Sequence, residues 1–251
     1  MANQKGIIKL KGTIGDITFY KSKDGYMARE KGGIDAKRFH SDPAFKRTRE
    51  NAQEFGHSGK IGSLIRRAFR PVTMGISDSK LTSRFVKVLM SVVKTDAVNN
   101  RGDRLVTGGV MNLMEGFDFN VKANLKKSFF NNYDIQWDRT TGESKITFAP
   151  FVPQEHVGVP NGTTHFRIVA GSASIDFDTQ VYELKLDRST ILPWDQTEIV
   201  DLELIASLAA NSTNPVITVL GIEFYQEVNG VNYMLNNGGF NAASIVKVDQ
   251  V

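Results

Sequence analysis

The sequence predicts an α+β protein, with an N-terminal β-hairpin and basic helices followed by a C-terminal antiparallel β-sandwich. Apolar and polar residues alternate near the N-terminus and again from about residue 121 onward, the period of half-buried strands. Between these regions apolar residues recur at three- and four-residue spacing, the period of a helix face. Charge separates the same halves. Residues 1–104 hold 22 Lys or Arg against 10 Asp or Glu, a net of +12, while residues 105–251 hold 9 against 17, a net of −8. The overall +4 hides that division.

The front begins with three alternating stretches, IIKL, DITFYK and YMARE. In the first, Ile8 and Leu10 share one face and Lys9 and Lys11 the other. SKDG joins the second to the third, and Asp24-Gly25 is a hairpin signal because glycine accepts positive φ without steric cost. Three such strands are marginal alone and need a cover from a helix or another chain. Gly12-Thr13-Ile14-Gly15 matches the G-x-x-G loop of an RNA clamp, but that loop joins two helices. Strand patterns flank it here, so a tight strand connection is expected.

Helices follow. Ser41 or Asp42 stands before Pro43, a cap with proline at the first helical position. This helix is expected to reach Phe55, with Gly56 stopping it. A second helix, from near Ser58 to Pro71, places Ile61, Leu64, Ile65, Ala68 and Phe69 on one stripe, leaving Lys60, Arg66, Arg67 and Arg70 outward. A third, from about Ser79 to Ala97, buries Leu81, Phe85, Val88, Leu89 and Val92. Lys80, Arg84, Lys87 and Lys94 take its far side. RGDRLVTGGV, with three glycines and little periodicity, predicts a linker or an ordered crossing loop, then a short helix through Met111 to Glu115.

The rest predicts strands. YDIQW and KITFAPF flank a turn. THFRIVAG places Phe166, Ile168 and Ala170 on one face, and VYELKL groups Tyr182, Leu184 and Leu186. EIVDLELI turns Val200, Leu202 and Leu204 inward. PVITVLGIEFY, NYML and ASIVKV complete the set, with turn signals at Asn229-Gly230 and at NNGG, residues 236–239. This spacing suggests a sandwich or open barrel. The expected domains are a basic hairpin-plus-helical module over 1–104, a linker or short helix over 105–120, and a β-sandwich over 121–251.

Little chemistry is visible. Cysteine is absent, which removes disulfides, thiolate metal sites and cysteine nucleophiles together. His40, His57, His156 and His165 lack the spacing of a helical zinc pair. Ser172 and Ser174, in AGSASID, lack the G-x-S-x-G elbow. Asp176 and Asp178 offer two oxygens where a hard cation needs six or more. No P-loop or dinucleotide fingerprint is present. The expectation is therefore a non-enzymatic protein with no cofactor, metal or small-molecule substrate. No run of 18 apolar residues exists, and MANQKGIIKLKG lacks the apolar core of a signal peptide. A cytoplasmic protein without membrane contact is expected.

KGIIKLKGTIGDITFYKSKDGYMAREKGG, DPAFKRTRENAQEFG and NNGGFNAASIVKV together resemble a family of uncharacterised bacterial proteins of Bacteroidota-type genomes. The resemblance covers nearly the whole chain. It implies a cytoplasmic or phage-like bacterial origin and carries no assigned activity.

Charge asymmetry of this size suggests a polyanionic partner or head-to-tail attraction between copies. The expected function is structural: assembly as a homo-oligomer or onto a larger particle. The docking surface would comprise Lys9, Lys11, Lys60, Arg66, Arg67, Arg70, Arg84 and Lys87. The alternative is a nucleic-acid partner on the same surface, with Tyr20, Tyr26, Phe39 or Phe45 stacking on bases.

Overall fold

In the computed structural model, which describes residues 2–30, 36–76 and 78–250, the N-terminal segments pair as an antiparallel sheet. Its strands are β1 (Ala2–Asn3), β2 (Gly12–Ile14), β3 (Ile17–Ser22) and β4 (Gly25–Glu30), in the order β1-β4-β3-β2. The β3–β4 hairpin forms at Asp24-Gly25 as expected, with Gly25 at φ 114°. The first expected strand does not form. Ile7 and Ile8 lie outside any strand and are fully or largely exposed. Gln4 explains why: its side chain accepts from the Leu10 N–H and donates to the Leu10 and Met27 carbonyls, pinching residues 4–10 into a loop. GTIG is strand β2 itself plus the turning Gly15 at φ 59°. Helix α1 (Ala36–Ser41) follows, then a 3-10 turn, Pro43–Phe45, capped by the Asp42 carboxylate on the Ala44 N–H.

The chain divides into two compact units, residues 1–49 and 50–251. Helix α2 (Lys46–Ala68) is the first correction. Glycine at 56 was expected to end a helix. Yet Gly56 is exposed, has no positive φ, and an added Cβ there would meet nothing, so no left-handed cap forms. The cost is the ordinary helix penalty of about 1 kcal/mol, offset by the stripe beyond it. That stripe is as expected: Ile61, Leu64, Ile65 and Ala68 are buried. A single-turn helix α3 (Arg70–Thr73) and helix α4 (Leu81–Lys94) follow, the latter burying Phe85, Val86, Leu89, Val92 and Val93.

Residues 105–120 form the ordered crossing loop, not a linker, and the expected short helix is a 3-10 turn, Met111–Met114. Val106, Met111, Met114, Phe117 and Phe119 are all buried, in one cluster with α2 and α4. Helix α5 (Leu125–Ser128), β5 (Tyr133–Asp138), β6 (Glu143–Phe148), α6 (Pro153–His156), β7 (His165–Asp176), β8 (Val181–Arg188), β9 (Leu192–Pro193), β10 (Glu203–Ser207), β11 (Val216–Val228), β12 (Val231–Met234) and β13 (Ala242–Asp249) complete the chain.

The larger sheet is built on the β7–β11 pair, flanked by β8 and β9 beside β7 and by β12 and β13 beside β11. Alternation sends its side chains to two cores. Odd positions such as Val169, Ala173, Ile217 and Val219 meet the helices and the 105–120 segment. Even positions such as Phe166, Ile168, Leu220 and Ile222 meet Ile146, Phe148 and Leu204 of the second sheet, β10-β6-β5. The result within this unit is helices on sheet on sheet. Gly171 lets α3 approach: an added Cβ there would lie 2.9 Å from Val72 Cγ2. Asn229-Gly230 turns β11 into β12 with both φ values positive, as expected. Val200, expected inward, is exposed, because the chain turns at Asp201 (φ 53°) and β10 begins at Glu203.

Candidate functional site

The eight expected docking cations do not share one environment. Lys9 and Lys11 are exposed in the first unit, where the Lys9 ammonium donates to the Gln4 carbonyl and sits over the Tyr26 ring. Lys60, Arg67, Arg70 and Lys87 are exposed on the second unit. Arg66 is half-buried and folds back to donate to the Gly62 carbonyl at 3.2 Å.

Arg84 is a correction. It is no outward cation: it donates to Asp78 Oδ2 at 2.6 Å and to the Asp118 carbonyl at 2.8 Å, and stacks 4.9 Å from the Phe117 ring centre. Burial alone would raise the Asp78 pKa, but the Arg84 guanidinium and the Lys80 N–H together hold it below the usual carboxylate range. Asp78 was invisible as a partner because it lies outside the helix whose faces the spacing describes. Arg84→Ala is expected to destabilise the protein by about 2 kcal/mol, through loss of charge-assisted bonds to a carboxylate only 2% exposed. Lys87→Ala, one turn on and exposed, should shift the urea midpoint negligibly.

The other candidate groups have structural partners. Ser172 is buried and bonds Ser144 and Thr218. Asp176 accepts the Asp178 and Thr179 N–H groups, capping the β7–β8 turn. His57 Nε2 accepts the Val106 N–H at 3.1 Å; burial and Lys60 lower its pKa, so the neutral ring that can accept is favoured. No group of three metal-capable side chains occurs among the described residues, and no helix among them is long and apolar enough to cross a membrane.

One constellation escaped sequence reasoning. Arg167 on β7 and Glu223 on β11 are direct cross-strand partners. Arg167 Nε and Nη2 both reach Glu223 Oε2, at 2.8 and 2.7 Å, and the Tyr225 hydroxyl donates to the same oxygen at 2.7 Å. Burial and the Glu223 carboxylate push the Tyr225 phenol well above its usual pKa. Glu223 is nine-tenths buried. The group borders an open cleft of about 440 Å³ that Met74, Met234, Asn237 and Arg188 also line. The signal was present as odd-numbered charges in two otherwise apolar strands, but only the register brings them together.

The geometry defines an α+β protein whose larger unit layers helices on two antiparallel sheets. Comparison with protein-family models, curated proteins and solved structures finds no match to this chain.

Proposed function

We propose that this is a non-enzymatic assembly protein that docks its N-terminal sheet onto a neighbouring copy of the same chain. One observation carries the reading. Among the described residues of 1–49 none is buried, although they form a four-stranded sheet and a helix. Ile7, Ile8, Leu10, Ile14 and Ile17 are all exposed there. A sheet gains its stability by covering at least one face, and exposed aliphatic side chains grouped in one small unit mark an interaction surface.

Charge supports a second copy as the occupant. Residues 1–49 hold 12 Lys or Arg against 5 Asp or Glu, a net of +7, whereas residues 50–251 hold 19 against 22, a net of −3. The front of one copy is therefore attracted to the body of the next, a head-to-tail contact that generates rings or filaments. A nucleic-acid partner fits the +7 as well. Two of its four expected stacking rings already carry a cation of this chain, however: Lys21 lies 5.6 Å over the Tyr26 ring and Arg29 lies 5.4 Å over Tyr20.

Light scattering on nuclease-treated full-length protein, at low and high salt, tests the reading. The expected result is an oligomer, free of nucleic acid, whose mass falls as salt rises. A monomer at every concentration and salt overturns it. So does a monomer that retains nucleic acid until salt strips it away, which would establish the other partner.

A further inference from the structure

The cavity beside Arg167 has the makings of a ligand site separate from the docking surface. At about 440 Å³ it falls within the range of small-molecule pockets, and it has their composition, mostly apolar walls with a few polar groups. Met74 and Met234 supply flexible apolar surface at its rim, and both are exposed, Met74 at 70% and Met234 at 37%. Asn237 also lines the cavity, the middle of three successive residues at positive φ, Asn236, Asn237 and Gly238 (47°, 49° and 85°). Left-handed backbone at non-glycine residues is costly and clusters where a ligand or clamp requires it.

The charges specify the ligand. Glu223 is matched by Arg167 and capped by Tyr225, so that group presents no net charge to the cavity. Arg188 is different. It lies on the same sheet face, forms no ion pair among the described residues, and donates only weakly to the Pro71 carbonyl at 3.4 Å. One uncompensated guanidinium suits one negative charge. A planar carboxylate matches the guanidinium fork, whereas a phosphate dianion would bring a second charge toward Glu223.

We propose that this cavity binds a small amphipathic carboxylate, its head on Arg188 and its hydrocarbon body against Met74 and Met234. Full-length protein labelled at the methionine methyl groups can be titrated with sodium octanoate, octan-1-ol and octyl phosphate. Saturable shifts of the Met74 and Met234 signals by octanoate are expected, with the buried Met111 and Met114 signals unmoved. Arg188→Ala should weaken octanoate binding about tenfold or more, the scale of a lost charge-assisted bond, and Arg188→Lys should restore part of it. Absence of a saturable shift overturns the site. Octan-1-ol binding as well as octanoate shows that no head group is read, and tighter octyl phosphate shows that the anion is not a carboxylate; either result overturns the assignment. Should Arg188→Ala disturb Met111 and Met114, the head-group comparison on the unaltered protein decides alone.

Discussion

Phe85→Ala is expected to cost about 4 kcal/mol of stability, the range for removing a fully enclosed phenylalanine ring and leaving a cavity. The ring is completely buried where three elements meet. It lies 4.6 Å from the Phe117 ring and 6.2 Å from Phe119, both in the 105–120 segment. Across α2, an added Cβ on Gly62 would sit 3.0 Å from Leu89 Cδ1 and in ordinary contact, 3.5 Å, with Phe85 Cδ1. None of these neighbours can move inward without breaking other contacts, so collapse into the void is limited. Urea unfolding followed by circular dichroism measures the loss. Phe55→Ala provides the contrast: that ring is 60% exposed, and its removal should change stability by less than about 0.5 kcal/mol. A shift under about 1 kcal/mol for Phe85→Ala would mean that the 105–120 segment does not close over α4.

Asp96→Asn is expected to cost about 3 kcal/mol at neutral pH. The carboxylate is 2% exposed and accepts four hydrogen bonds: from the Val98 and Asn99 N–H groups, the Asn99 side chain, and the Leu105 N–H. An amide in its place turns one acceptor oxygen into a donor facing donors, and unmet buried groups cost about 1–3 kcal/mol each. Burial alone would raise the Asp96 pKa, but the Leu105, Asn99 and Val98 hydrogen bonds overcome it and hold the pKa far below the usual value. A depressed folded-state pKa means stability fully present above the unfolded-state value, about 3.9, and lost as pH falls below it. The difference in urea midpoint between the parent protein and Asp96→Asn should therefore narrow between pH 5 and pH 3. An unchanged gap would show that Asp96 is not held as the anion.

Where one element determines its own burial, the pattern told the truth. The stripes of α2 and α4 follow from side chains three and four apart, and the β11–β12 turn follows from Asn229-Gly230, whose positive φ values need no tertiary help. What failed depended on partners elsewhere in the chain. Gly56 looked like a stop because local glycine carries no information about the core that holds α2 straight. RGDRLVTGGV left a linker and an ordered crossing loop undecided because its buried residues follow no period; Asp96 and its neighbours shape the crossing. Gly108 and Gly109 fit only as glycines, since an added Cβ would lie 2.5 Å from the Asp96 carboxylate and 2.2 Å from the Val92 carbonyl. Ile7–Leu10 alternates like a strand yet joins no strand among the described residues, for the Gln4 side chain takes the Leu10 backbone groups first. Arg84 and the Arg167–Glu223–Tyr225 group were hidden for one reason: a salt bridge is a relation between distant residues, and spacing sees only near ones.

The placement of β13 has a consequence for the order of events as the polypeptide emerges. Ala243, Ile245 and Val248 form part of the surface on which the helices rest, and the Gly116 and Phe119 N–H groups bond to the Ile245 and Ala243 carbonyls. During synthesis, α2, α4 and the crossing segment exist for more than a hundred residues with their phenylalanines and methionines only partly roofed. Consolidation of that interior waits on a strand of eight residues, Ala242–Asp249, made only after the two sheets' other strands, so the early chain is a species with exposed greasy surface and a need for protection from its neighbours.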